Sequence, residues 1–326
     1  MMTVAAVIPH WNRRVLLETL IASLRSQTRP LDEVIVVDNG STDDSAAWAE
    51  NAGARVVRLE KNLGFAAAVN RGIDSARTGW VAILNNDVTL APDWLEKLLA
   101  TAENAGAWFA TGKILRTADP SMIDGTFDEI SRGACACRCG SGKPDSPVWN
   151  RPRRIRIAPM TAALFQRETF TRVGMLDESF GSYLEDVDFG IRCARAGLDG
   201  IYEPAAVALH RGSATLGEWN SDTVRLISRN QCLLAFKHFQ GQARWPIVAG
   251  QLLWGAVALR HGKGVAYFRG KLSGLRFPRA ARLEHPGTNR DTLRAIFEAS
   301  ERDILELERQ TGFSWYWRAY FWLQRR

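Results

Sequence analysis

Residues 83–88 read ILNNDV, an apolar run that stops on two asparagines and an aspartate. The run opens earlier, as WVAILNN (80–86), and three like it precede it: VAAVIP (4–9), EVIVVD (33–38) and RVVRL (55–59). Each is short, rich in β-branched residues and close to turn chemistry, the pattern of a strand. Between them apolar residues recur at helical spacing, as Leu16, Leu17, Leu20, Ile21 and Leu24 do. Segments near 43–52, 65–76 and 92–105 behave alike. Thr42 or Asp43 is placed to cap the second helix, and Pro92 suits the first turn of the fourth. Strands alternating with helices predict βαβ units, hence an α/β fold with a mostly parallel central sheet. In such sheets ligands gather at the carboxyl ends of the strands. Asp38 and Asp87 both stand at such ends.

From about 110 to 155 the pattern loosens. DEISRGACACRCGSGKPDSPVWNRPRR is rich in Gly, Pro, Ser and Arg and reads as a long irregular excursion. Within it Cys135, Cys137 and Cys139 tempt a zinc assignment. The Cys-x-Cys-x-Cys spacing and the lack of a nearby histidine argue instead for a loop with free thiols. The chain has five cysteines, an odd number that gives no disulfide framework and fits a reducing compartment. Its 46% hydrophobic and 24% charged residues describe a globular protein. No basic region precedes the first apolar stretch, so no signal peptide is expected.

Several short stretches could carry chemistry. Asn85, Asn86 and Asp87 are turn formers as well as potential ligands. VVDNGSTDDS (36–45) could turn a hairpin at Asn-Gly, but a helical pattern follows it rather than a strand. A carboxylate there could accept the N–H of a pyrimidine base. YLEDVDF (183–189) sets Glu185, Asp186 and Asp188 at the start of a helical pattern, where acids also suit the helix dipole. ALHRGSAT ends another apolar run on His210.

In their order and spacing, VIPHWNR, VVDNGSTDDS, NLGFAAAVNRGI, LNNDV, VGMLDESFGSYLEDVDFGIRCARAG and LHRGSAT resemble the family 2 glycosyltransferases. These are inverting enzymes with the GT-A nucleotide-diphospho-sugar transferase fold. The likeness covers roughly residues 3–215, and NLGFAAAVNRGI with LNNDV is most similar to the rhamnosyltransferase-type branch. It implies a catalytic domain over 1–215, with a nucleotide-binding half to about 110 and an acceptor half beyond. Asp38 matches the base-recognising aspartate, with Pro9 and Asn39 beside the nucleotide. Gly64 would allow close backbone approach to it, and Asn70, Asn85 and Asn86 would contact it. Asp87 matches the last acid of the family's Asp-x-Asp metal motif, although Asn85 stands where the first acid is usual. His210 matches a late histidine that completes metal or diphosphate binding in some members. Asp186 aligns with the catalytic base, and Glu185 flanks it.

The chemistry is consistent with those roles. A diphosphate leaving group needs its charge neutralised, which a divalent cation on hard ligands can do, and Mg2+ or Mn2+ both fit. A positioned carboxylate can take the acceptor hydroxyl's proton, an effect worth roughly 10²–10⁴ in rate. The resemblance therefore implies transfer from a nucleotide-sugar donor, dTDP-L-rhamnose by its likeness to the rhamnosyltransferase-type branch, to a lipid-linked or polymeric glycan. UDP-hexose and UDP-N-acetylhexosamine donors stay open. A nucleotide-sugar-binding protein without catalysis is the rival, disfavoured by Asp186, Asp87 and His210 occurring together. A dinucleotide-binding dehydrogenase lacks its Gly-x-Gly-x-x-Gly after the first strand.

The tail differs from the rest. Residues 241–326 hold 15 Lys/Arg against 7 Asp/Glu, whereas the first 240 hold 27 against 28. The apolar stretch PIVAGQLLWGAVAL (246–259) is too short to span a bilayer. Seven Lys/Arg and no acid follow from Arg260 to Arg282, and FSWYWRAYFWLQRR (313–326) ends the chain with seven aromatics. This composition predicts a helical region, 216–326, lying at a membrane surface, with the protein peripheral at the cytoplasmic face of the inner membrane. A helical subdomain packed on the core or a homodimer contact is the alternative. Nucleic acid is disfavoured, since no nucleic-acid-binding motif accompanies the charge.

Overall fold

The apolar runs of the opening hundred residues form β1 (Val4–His10), β2 (Glu33–Asp38), β3 (Arg55–Arg58) and β4 (Trp80–Leu84). Between them lie α1 (Arg14–Arg25), α2 (Ser45–Asn51) and α3 (Phe65–Ser75). The short β5 (Val88–Leu90) and α4 (Trp94–Ala105) follow. Strands β4, β1, β2 and β3 are neighbours in that order and run parallel. Their carboxyl ends therefore share one edge, where register sets His10 opposite Asp38. The β4 strand stops at Leu84, so the three polar residues after it lie beyond the sheet proper. Two cap expectations shift by a residue or two. Asp44, not Thr42 or Asp43, precedes α2, and Pro92 lies outside α4, whose cap residue is Asp93.

The expected irregular excursion at 110–155 is half strand, and most of 131–152 is irregular as expected. It supplies β6 (Phe109–Arg116), β7 (Asp119–Gly125), β8 (Asp128–Ile130), β9 (Ala136–Arg138) and β10 (Arg153–Ile155). Next come β11 (Ala162–Gln166), α5 (Glu168–Val173), α6 (Glu185–Arg195) and β12 (Gly200–His210). Strand β6 sits between β12 and β11, and its first six residues are all buried. A strand covered on both faces carries no polar–apolar alternation, which is why its sequence does not announce it. Strand β11 is antiparallel to β4 and β6, while β12 is parallel to β6. His210 at the end of β12 thus reaches the same edge as His10 and Asp38.

This computed structural model describes residues 2–212, 219–276 and 290–325. Ser213–Thr215 of the LHRGSAT stretch and Arg279 and Arg282 of the basic run lie outside the described residues. The chain divides into one unit of Met1–Phe127 with Gly140–Ala214 and another of Asp128–Cys139 with Thr215–Arg326. A division by sequence at 215 keeps 128–139 with the catalytic part, whereas the structure groups that hairpin with the C-terminal unit.

The C-terminal unit adds α7 (Ser221–His238), α8 (Arg244–Arg260), α9 (Gly264–Leu275), α10 (Arg290–Thr311) and α11 (Trp315–Gln324). Strands β8 and β9 pair as a hairpin, and Ile130 N donates to Ser300 Oγ of α10 at 2.7 Å. Cys135, Cys137 and Cys139 form no disulfide and are buried on this hairpin rather than in an open loop. Burial pushes the Cys135 and Cys139 thiols up, away from the reactive thiolate form. Part of the terminal aromatic run supplies core, while Trp315 and Trp322 stay exposed. Trp317, Tyr320 and Phe321 fall on one helical face and are buried, and Tyr320 Oη donates to Glu301 Oε1 at 2.6 Å.

Candidate active site

Asp38 is buried at the end of β2, and its Oδ1 accepts from Ser41 N at 3.0 Å. Pro9, in the neighbouring strand, is half-buried. The next residue in sequence, Asn39, has its amide engaged elsewhere. Its Oδ1 accepts from Leu63 N at 2.9 Å and its Nδ2 donates to Gly64 O at 3.1 Å. Asn39 therefore pins the loop that enters α3.

That loop makes its close approach to protein backbone. Gly64 has φ +93°, and a Cβ there would lie 2.9 Å from Gly181 O. Ala66 N donates to the same carbonyl at 2.9 Å, and Phe65 N donates to Ser182 Oγ at 3.1 Å. Asn70 is committed in the same way, with Oδ1 accepting from Leu176 N at 3.0 Å and Nδ2 donating to Leu176 O at 2.9 Å. A buried amide must satisfy both ends, and the nearest backbone does so here. Asn70 thus clamps α3 to the segment before α6.

The residues after β4 gather a second group. Asn85 N donates to Thr161 O at 2.9 Å, and Asn86 Nδ2 lies 2.9 Å from His10 Nδ1. Burial lowers the His10 pKa despite Asp43 and Asp38, so the neutral ring can accept from the Asn86 amide. Val88 pairs with His210 in the β5–β12 ladder, and Arg211 N donates to Asp87 O at 3.1 Å. This backbone pairing brings Asp87 Oδ1 within 3.1 Å of His210 Nε2. On the other side of the ring, Asp124 Oδ2 is 2.9 Å from His210 Nδ1. Burial opposes charge on the ring, but the bonds to Asp124 and Asp87 prevail and push its pKa up to about 9. Without a competing ligand, His210 is an imidazolium held between two carboxylates.

The three acids of α6 separate by environment. Asp188 is fully buried and pairs with Arg192 at 3.0 Å. The same guanidinium donates to the Val173, Gly174 and Met175 carbonyls. Glu185 is buried, whereas Asp186 stays partly exposed, with its Oδ1 accepting from Val187 N at 2.9 Å. Just before them Tyr183 (φ 73°) and Leu184 (φ 69°) are left-handed. Each such residue costs on the order of 1–3 kcal/mol, and strain of this kind collects at functional sites.

With this geometry in hand, comparison with known proteins gives a family. The sequence pattern of "Glycosyl transferase family 2" matches residues 5–170. The chain belongs to that family. It is rhamnosyltransferase-like: it is 29% identical over 270 residues to an N-acetylglucosaminyl-diphospho-decaprenol L-rhamnosyltransferase of Mycobacterium tuberculosis. That alignment covers 75% of this chain and 87% of the relative. A pre-mycofactocin glycosyltransferase of the same species is 29% identical over 287 residues, covering 86% of this chain but 58% of the relative. Among solved structures, GalNAc-T7 with UDP, GalNAc and Mn2+ superposes with a TM-score of 0.62 at 15% identity. That match covers 84% of this chain and 55% of the other, and shows the GT-A fold.

Two residues of this candidate site escape a sequence reading, Asp124 and His10. Asp124 lies in a strand with no motif around it, and only the β6–β7 pairing carries it to His210. His10 follows Pro9 directly, and its position at a strand end was the one available signal. The Asp124 contact has a measurable consequence. His210 titrates near 9 in the fold against an ordinary value of 6.5, so its pairing stabilises the fold fully below about 6.5. That contribution is lost as pH rises through about 9. The melting temperature of metal-free protein is expected to fall across this window, and Asp124→Asn to make the fall shallower. Equal pH sensitivity in both proteins would remove Asp124 from the pairing.

Proposed function

We propose that this glycosyltransferase moves L-rhamnose from dTDP-L-rhamnose to a lipid-linked or polymeric glycan, with inversion at the anomeric carbon. The observation that carries this reading is the Asp87–His210 pair on the sheet edge that also bears Asp38. Asp38 would accept an N–H of the pyrimidine base, flanked by Pro9 and by the loop that Asn39 holds. Rhamnose is supported by the likeness to the mycobacterial L-rhamnosyltransferase, and a lipid-linked acceptor by the diphospho-decaprenol in that relative's name.

Asp87 and His210 suit a divalent ion, Mg2+ or Mn2+. Their facing donor atoms are 3.1 Å apart. Neighbouring ligands on one small ion with bonds of about 2.1 Å have a similar spacing. Asp124 backs the far ring nitrogen as carboxylates commonly back metal-binding histidines. Among the described residues no group of three or more acids, histidines or cysteines is arranged to hold an ion. Oxygens of the donor's own diphosphate would therefore complete the coordination. When bound, such an ion supplies neutralising charge to the departing diphosphate.

Asp186 accepts the acceptor hydroxyl's proton as that oxygen bonds to the anomeric carbon. The sugar–phosphate bond breaks on the opposite face, and its electron pair leaves with the nucleoside diphosphate. One displacement with no enzyme-bound sugar gives inversion. Thermal-shift measurements against a panel of nucleotide sugars, with and without Mn2+, test the donor. At a hundredfold excess over Kd a ligand adds about 2.7 kcal/mol to apparent stability. The largest shift is expected with dTDP-L-rhamnose and Mn2+. A larger shift with a UDP-hexose or UDP-N-acetylhexosamine reassigns the donor, and no shift with any of them overturns the reading.

A further inference from the structure

Two of the C-terminal helices, α8 and α9, each leave four large apolar residues exposed. In α9 the inward positions other than Tyr267 are small: a Cβ at Gly270 would collide with the Arg225 carbonyl, and one at Gly274 would lie 2.7 Å from Cys232 Cβ. The large residues Val265, Phe268, Leu272 and Leu275 are exposed instead. Their spacing of i, i+3, i+7 and i+10 puts them on one face. Helix α8 repeats the arrangement. Its Gly250 meets Gly133 and its Gly255 meets the Tyr267 ring, while Trp245, Val248, Leu252 and Leu259 stand exposed. These are not grazing exposures, since Leu252 is 64% and Phe268 63% accessible.

Water-facing helices bury their large apolar residues, whereas helices in contact with lipid use small residues where they touch one another. Charge agrees with the second environment. Residues 244–276 contain six Lys/Arg and no Asp or Glu. Arg260, Arg269 and Arg276 each directly follow an exposed apolar residue, and none makes an ion pair among the described residues. No helix among the described residues is long and apolar enough to cross a membrane. Such a face suits the plane of a bilayer rather than its thickness.

We infer that α8 and α9 form a docking face for the surface of an anionic phospholipid bilayer. Their apolar residues enter the acyl boundary, and their arginines meet lipid phosphates. A second copy of the chain fits less well, because a two-fold contact would set this cationic rim against itself. The inference rests on the C-terminal unit alone and is independent of which sugar is transferred.

Flotation of the full chain with phosphatidylcholine vesicles, with and without phosphatidylglycerol, tests it. Binding to the anionic vesicles is expected, and to weaken with added salt. The variant Leu252→Ser/Phe268→Ser/Leu272→Ser should lose at least about tenfold in vesicle partition at any salt. Arg260→Gln/Arg269→Gln/Arg276→Gln should lose only the salt-sensitive part. All six side chains are exposed, so circular dichroism and melting temperature should be unchanged in both variants. Full chain that floats with neither vesicle at low salt overturns the inference, as does undiminished binding by the serine variant. A concentration-dependent dimer abolished by the serine substitutions, with no vesicle binding, overturns it in favour of self-association.

Discussion

Asp186→Asn is expected to bind the donor normally while turnover falls at least about a hundredfold, because the amide cannot take a proton at neutral pH. The three acids at the head of α6 are not interchangeable. Asp188 is bound to Arg192, which in turn holds the carbonyls of Val173, Gly174 and Met175. Its loss would act through folding. Glu185 is buried, which leaves Asp186 as the acid an acceptor hydroxyl can reach. Single-turnover rates and donor titrations on Asp186→Asn and Glu185→Gln separate these roles. The decrease in kcat should appear in Asp186→Asn with the donor Kd unchanged. An active Asp186→Asn beside a dead Glu185→Gln would assign the base to its neighbour.

The second large effect is expected at Asp87. Asp87→Ala should lower transfer by roughly a thousandfold or more, since the proposed metal site would draw several kcal/mol of charge stabilisation at the leaving diphosphate from that carboxylate. The fold should survive. Val88 still pairs with His210 through backbone, Arg211 N still has the residue-87 carbonyl, and His210 keeps Asp124. Calorimetric titration of nucleoside diphosphate with and without Mn2+ measures the metal-dependent part of binding, which should vanish in the variant. Undiminished affinity and turnover would remove Asp87 from the diphosphate site. A large fall in melting temperature would instead mark it as structural.

By itself the sequence determined the first half of the sheet and the polar ends of its strands. Those features are local: β1 to β4 are short β-branched runs, the intervening helices keep their period, and Asp38 and Asp87 follow directly on apolar strands. His210 was legible for the same reason, at the end of an apolar run. What depends on partners far along the chain was not legible. Strand β6 is covered on both faces and shows no alternation, and Asp124 acquires meaning only once β7 lies beside β6. Asn39 and Asn70 read as ligand contacts in sequence, and only the fold shows that their buried amides hold the Gly64 and Leu176 backbone. The tail makes the same point about surfaces. Composition gave its charge and aromatic content, yet tertiary packing turned Trp317, Tyr320 and Phe321 inward and left Phe268 and Leu272 outside. Which side of an apolar helix meets protein is decided by close contacts such as Gly270 against Arg225, and no periodicity within one helix encodes them.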